Sequence, residues 1–230
     1  MSELPSLVFD SGLEHADLSA ALVWGLGLPG CPRTETCPGF LTELLARVRS
    51  TGESFLSSER RKAVRNMLRY GAFKPSGRSK PSSEYLLAAA LEGDFPLVNP
   101  VVDVNNAVSL ESGYPASVFD LDLCGYSLLL RRGLAGESYV FNPSGQIIDL
   151  RDLLCVCRQE GSGWRPCGNP VKDSMETKTR ESTRNVAAVI YAPASESNDH
   201  IEQAAVHFAE LLQSQCGATG TGVAIIQTLK

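Results

Sequence analysis

Hydrophobic and polar positions divide this chain into a largely helical first half and a strand-rich second half. Residues 39–49 and 58–70 carry apolar side chains at three- and four-residue spacing, which predicts two helices joined by the turn Thr51-Gly52-Glu53-Ser54. Ser57 and Ser58 can cap the second of these, with Val64, Met67 and Leu68 on its apolar side. Pro81, Ser82, Ser83 and Glu84 open a third helix through Tyr85, Leu86, Leu87 and Ala90, and Gly93 ends it. Residues 18–26 have the apolar density of a further helix, stopped by Gly27 and Pro29, and residues 106–111 give a short helical pattern. Residues 6–10, 126–131, 138–141 and 146–150 read as strands, and Cys155 and Cys157 stand two apart in another strand-like stretch. Residues 187–191 are almost continuously apolar, as in a buried strand. A helix capped by Asn198 or Asp199 then runs to Gln215 with Gly217 just beyond, and residues 221–229 close as a last strand. No repeat, low-complexity tract or long linker interrupts the chain. The expected fold is therefore a compact α/β (α+β) unit, one domain over residues 1–230, organised as two intertwined lobes.

Composition narrows the class. The chain has 230 residues, 43% hydrophobic and 20% charged, which suits a soluble globular protein and excludes disorder, coiled coil and collagen. No apolar run approaches the roughly 20 residues needed to cross a bilayer. Met1-Ser2-Glu3-Leu4-Pro5 lacks the basic and apolar regions of a signal peptide, so a cytoplasmic protein with no membrane partner is expected. Seven cysteines, an odd number without a secretory signal, suggest reduced thiols. None is arranged in the paired CxxC spacing of a zinc site, so no metal is expected.

The net charge of −5 argues against a nucleic-acid binder until its distribution is read. Residues 59–80 hold eight basic side chains against Glu59 alone, a local charge of +7, while the remaining 208 residues sum to −12. Arg61, Arg65 and Arg69 fall at i, i+4 and i+8 on one helix face, and Lys74, Arg78 and Lys80 follow in a loop punctuated by Pro75, Gly77 and Pro81. Such a stripe is either a solvated helix face or a surface that contacts phosphates.

Histidine chemistry is not indicated. His200 and His207 share a polar helix face with Gln203, Glu210 and Ser214, opposite Ile201, Ala205, Phe208 and Leu212, and His15 lies in a polar loop; all three read as solvated. No Ser-His-Asp or Cys-His arrangement, GxGxxG fingerprint or P-loop is present, so no cofactor is expected. What stands out is residues 99–122, NPVVDVNNAVSLESGYPASVFDLD, where Asn99, Asp103, Asn105, Asn106, Glu111, Ser117, Asp120 and Asp122 alternate with apolar residues. A second polar cluster between Gly168 and Thr183 contains Lys172, Asp173, Ser174, Thr177 and Lys178. Buried Asn and Asp need partners, so each cluster is either hydrogen-bonded capping or the lining of a ligand pocket.

That central string resembles the signature of the tRNA-binding and editing module, the third and fourth domains, of the bacterial phenylalanyl-tRNA synthetase beta subunit. A V-V-D-x-x-N core followed by Glu, Gly-x-Pro and Phe-Asp corresponds here to Val101, Val102, Asp103, Asn106, Glu111, Gly113, Pro115, Phe119 and Asp120. The upstream Phe73-Lys74-Pro75-Ser76 and residues 82–87 are similar to the approach helix of freestanding bacterial versions, and residues 168–191 to their second half. The similarity spans about residues 57–194.

The resemblance implies a compact mixed-sheet fold and hydrolysis, in trans, of the ester of a mischarged aminoacyl-tRNA. It makes tRNA, through its acceptor end, and a free or esterified amino acid the partners, with no DNA and no complete synthetase. By this likeness Asn99, Asn105, Asn106, Lys172 and Ser174 would shape the amino-acid pocket, and Glu111, Asp173 and Ser117 would carry catalysis, Glu111 or Asp173 orienting water. Arg61, Arg65, Arg69, Lys74, Arg78 and Lys80 would hold phosphates. The chain departs from the family pattern at three places: Ser117 stands where the family has His, Asn105 where it has Thr, and no Glu lies in the buried strand near Val189. Two function classes follow, an active deacylase or a catalytically inactive module that binds tRNA or an amino acid. Residues 1–56 and 195–230 carry no motif and are expected to complete the core.

Overall fold

The computed structural model describes residues 4–14 and 16–227; the expectations for His15 and for a strand end at Leu229 lie outside the described residues. The chain opens with β1 (Ser6–Phe9) and β2 (Ser19–Leu26), then passes through α1 (Gly39–Thr51), α2 (Ser58–Leu68), α3 (Ser82–Glu92) and α4 (Pro100–Ser112). It continues with β3 (Ala116–Asp120), the single turn α5 (Leu121–Cys124), β4 (Ser127–Arg132), and the hairpin strands β5 (Ser138–Val140) and β6 (Ile147–Asp149). Then come β7 (Leu154–Glu160), β8 (Gly163–Gly168), β9 (Val186–Ala192), α6 (Asn198–Cys216) and β10 (Gly220–Gln227).

Two four-stranded sheets carry the architecture, confirming a mixed α/β fold. One has the order β10-β2-β9-β3 and is antiparallel throughout. The other, β1-β4-β7-β8, pairs β1 with β4 in parallel and is otherwise antiparallel. The two share a core: Leu128, Leu130, Val156 and Cys167 of the second sheet belong to the same buried cluster as Leu22, Val118 and Val189 of the first. Helices α1, α3 and α4 meet over a separate cluster that includes Leu41, Leu44, Leu86, Leu87 and Leu110. The β5–β6 hairpin covers a third, around Tyr139, Leu150 and Cys155.

Several expectations are corrected here. The helix expected over residues 18–26 is strand β2, which lies between β9 and β10 with Ala20, Ala21, Leu22 and Val23 fully buried. A strand apolar on both faces has no two-residue alternation, so its run of apolar side chains reads equally as helix. The short pattern over 106–111 is the second half of the 13-residue α4. Its start is signalled by Asn99, whose side chain accepts the Val102 N–H at 3.1 Å, and by Pro100 in the first turn. Because α4 packs against α1, α3, α6 and β3, its apolar residues are spread over several faces and form no single stripe to make it legible. Ser197, rather than Asn198 or Asp199, caps α6 through the Asp199 N–H at 3.3 Å. β3 and β8 were not expected. All five β3 residues are buried, and β8 contains Pro166, which a sheet edge tolerates.

All seven cysteines are free, six of them buried, and burial pushes thiols such as Cys31 and Cys124 up to about 11 and 12. Among the described residues no group of three or more His, Cys, Asp or Glu side chains is placed to hold a metal, and no helix is long and apolar enough to cross a membrane.

Candidate functional site

A cleft in two chambers opens where α3, α4, β3 and the loop 169–179 converge. The inner chamber, about 250 Å³, is lined by Asn105, Asn106, Asn169 and Asp173 among apolar Val98, Val102, Ala116 and Val118. The outer chamber, about 740 Å³, is lined by Arg78, Lys80, Tyr85, Phe141, Lys172 and Lys178. Tyr85, Pro96, Val171, Lys172, Asp173 and Lys178 border both, so the chambers are one cleft.

Asp173 sits at their junction. Its carboxylate accepts the Asn169 N–H at 3.2 Å and the Val118 N–H at 3.4 Å. Burial raises it to about 6, against the downward pull of the Ser117 hydroxyl, these two amides and the Lys178 ammonium. Lys178, whose ammonium donates to the Phe141 carbonyl at 2.5 Å, is itself lowered by burial.

The scaffold of this junction is Asn169, which sequence reasoning missed. Its side-chain oxygen accepts the N–H groups of Val171 and Lys172, each at 2.8 Å, folding the loop into an Asx turn. Its amide nitrogen lies 2.5 Å from the Tyr139 hydroxyl, which donates to the Lys172 carbonyl at 2.6 Å. The signal available was the string Gly168-Asn169-Pro170, a turn signature before a polar loop. Gly168 has a packing reason: a Cβ there would stand 2.2 Å from the Phe119 ring and 2.7 Å from the Asp173 carboxylate. Gly168→Ala is expected to destabilise the fold by about 1–3 kcal/mol, read as a lower midpoint in urea, because neither the buried Phe119 ring nor the Asp173 carboxylate, held by two backbone amides, can yield cheaply.

Of the other expected pocket residues, Asn105 and Asn106 reach the inner chamber from α4. The Asn105 amide nitrogen makes only long contacts, 3.4 Å to Asn106 and 3.5 Å to the Ala116 carbonyl, and its buried carbonyl oxygen has no hydrogen-bond partner. Lys172 lines both chambers, its ammonium 4.1 Å from the Phe141 ring centre. Ser117 is fully buried, 3.0 Å from the Tyr191 hydroxyl and donating to the Asn169 carbonyl at 3.1 Å; it supports the junction and lines neither chamber. Asn99 caps α4 and donates to Thr179 at 3.0 Å, and Ser174 caps the turn Met175–Thr177 by accepting the Glu176 N–H at 3.2 Å. Both are capping residues. Asp103, the acid of the central string, is equally structural: it accepts from Thr34 and from the Val98 N–H at 2.8 Å.

Glu111 is separated from the cleft. Five residues of α-helix turn the chain by about 140° from Asn106, which points Glu111 at α1 and α6 instead. There it meets His207 at 3.3 Å and Arg47, and the hydrogen bonds from these two side chains, His207 first, hold it down to about 2 against its burial. His207 is raised by the same carboxylate, and His200 lies 3.3 Å from the Arg60 guanidinium, so neither ring is simply solvated. Glu111, His200 and His207 border a distinct groove of about 390 Å³.

The basic stripe also divides. Arg78 and Lys80 line the outer chamber, and Lys74 is exposed in the same loop. Arg65 donates through Nε to the buried Glu84 at 2.6 Å and through a second nitrogen to its other oxygen, so it ties α2 to α3 and is not free for phosphate. Arg61 lies on α2, but the helix expected through residue 70 ends at Leu68 and leaves Arg69 in extended backbone just past it, so the three arginines do not share one helix face; neither Arg61 nor Arg69 lines a chamber.

The chain is similar to the phenylalanine–tRNA ligase beta subunit of Synechococcus sp. (strain CC9605), 33% identical over 128 residues, which take in 50% of this chain and 15% of that one. It thus spans a small part of that relative's length. Among solved structures it is similar to an N-terminal fragment of the phenylalanyl-tRNA synthetase beta subunit from Pyrococcus horikoshii, at 10% identity and a TM-score of 0.48, covering 96% of this chain and 52% of the other. The B3/4 domain model matches residues 69–216, a stretch that contains α3, α4, β3 and the whole loop bearing Asn169 and Asp173, and the chain accordingly belongs to the B3/4 domain family.

Proposed function

We propose that this B3/4 domain protein is an editing-type deacylase: it binds an aminoacyl-tRNA by its acceptor end and hydrolyses the ester of a mischarged amino acid in trans, in the cytoplasm. The observation that carries this reading is the carboxylate of Asp173, poised near 6 at the junction of a polar inner chamber and a cationic outer one. A carboxylate of that proton affinity is mostly ionised at neutral pH yet basic enough to take a proton from water. The inner chamber receives the amino acid, where the unpartnered Asn105 carbonyl accepts from its ammonium. Asp173 draws a proton from water as the oxygen attacks the ester carbonyl. The Asn106 amide and the Lys178 ammonium, both lining the inner chamber, donate to the oxyanion. Collapse of the tetrahedral intermediate breaks the bond to the ribose oxygen, which takes the proton back from Asp173. Arg78 and Lys80, with Lys74 beside them, attract the phosphates.

A second reading keeps the cleft and drops catalysis. Ser117, in the place of the family His, is engaged by Tyr191 and Asn169 and offers no proton shuttle to the chamber. The module would then bind tRNA or an amino acid without turning it over. A panel of correctly and wrongly charged tRNAs, followed by loss of labelled amino acid, separates the two. Turnover of one mischarged species is the expected result. Flat traces across the panel with RNA binding intact would replace the deacylase with the binding module.

A further inference from the structure

The outer chamber carries a feature that ester hydrolysis does not use. Tyr85 projects from α3 at 61% exposure, the most exposed large aromatic among the described residues. Two other rings, one exposed and one lining the cleft, are occupied: Tyr70 has the Arg132 guanidinium 4.8 Å from its centre, and Phe141 has the Lys172 ammonium. Among the described residues the Tyr85 ring has no such partner and its hydroxyl makes no hydrogen bond. At the mouth of the cleft this ring offers an open, flat π face on which a planar ligand can stack. Beside it stand Arg78 and Lys80, neither paired with an acid, whereas the carboxylate of Glu84, which also borders the chamber, is held by Arg65. The chamber's 740 Å³ is in the usual range for small-molecule sites.

Building on the reading of this cleft as an RNA site, we propose that the outer chamber is a nucleoside-phosphate site in which Tyr85 stacks a nucleobase while Arg78 and Lys80 hold its phosphate. Cations alone would accept any anion. The bare ring next to them selects an anion that carries a flat π face. Two sources share that chemistry, the 3′-terminal nucleotide of an RNA and a free mononucleotide.

The test uses the whole chain and two labelled twelve-nucleotide RNAs, one ending in adenosine and one ending in an abasic ribose, with anisotropy as the readout. The wild-type protein is expected to bind the intact end about 5- to 150-fold more tightly, the range a single stacked base supplies. Tyr85→Ala should bind the two RNAs alike, and Tyr85→Phe should keep the preference, because the platform needs the ring and not the hydroxyl. The side chain is exposed, so both variants should unfold at the wild-type urea midpoint. In parallel, calorimetry with AMP and with ribose 5-phosphate reads the free-nucleotide source. RNA binding without discrimination by the wild type, or discrimination that survives Tyr85→Ala, overturns the stacking site. Should neither RNA bind, the RNA reading of the cleft fails, and the nucleotide site stands or falls on whether AMP binds in a Tyr85-dependent way.

Discussion

Asp173→Asn is expected to reduce deacylation by about 10²- to 10⁴-fold, the range contributed by a positioned general base, while leaving RNA affinity within a factor of two. The carboxamide is close to the carboxyl in shape and can still accept from one of the two amides that hold Asp173. What it loses is the ability to take a proton from water. The pH profile of the wild type should rise through a limb near 6, because the carboxyl must be ionised to act. Stability gives an independent readout with a definite sign. Folding raises this carboxyl from 3.8 to about 6, so between those values the folded chain keeps a proton that the unfolded chain has lost. The group's contribution to stability therefore falls as pH rises across that window and is level above it. Asp173→Asn should abolish that fall, making the variant at pH 7 as stable as the wild type or more so, by up to about 3 kcal/mol. Full activity in the variant would remove Asp173 from the chemistry. A loss of activity accompanied by unfolding would reduce it to a structural part.

The sequence disclosed those parts of the fold whose patterning is local. α1, α2, α3 and α6 each bury one face and expose another, and Gly93 and Gly217 close their helices in the left-handed region. β2 and α4 failed for a related reason: each packs against protein on more than one side, so apolar residues fall on several faces and set no clear period. The site was legible as composition and not as geometry. Residues 99–122 and 168–183 were both singled out for their polar density, and the structure brings Asn105, Asn106, Lys172 and Asp173 from the two stretches to one cleft. Which polar residue caps a helix and which lines a chamber depends on partners that come from distant parts of the chain. Asn99 meets Thr179, and Asp103 meets Thr34, neither of which any spacing rule would pair. The same holds for Glu111, whose partners Arg47 and His207 come from α1 and α6.

The basic stripe makes the sharpest division, because residues that look equivalent in the sequence should respond in opposite ways. Arg65→Ala leaves the buried Glu84 carboxylate without its partner and unties α2 from α3, so a loss of about 1–3 kcal/mol in folding stability is expected. The Arg65 end of the bridge is accessible to water, since its side chain is 38% exposed, which keeps the loss below that of a fully enclosed pair. The salt dependence of RNA binding should hardly change, as its guanidinium is already taken by a carboxylate. The paired substitution Arg78→Ala with Lys80→Ala should do the reverse. Both side chains are exposed and unpaired, so the urea midpoint should stay within error of the wild type. The slope of log affinity against log salt should become shallower by about 1.4, because two phosphates of a single strand are no longer neutralised. Measured together, unfolding in urea and RNA binding between about 50 and 200 mM salt distinguish a cation that builds the cleft from cations that serve it. If Arg65→Ala flattened the salt slope and the double variant did not, the phosphates would have to run along α2 beside Arg61 and Arg69, and the outer chamber would lose its place as the entrance to the site.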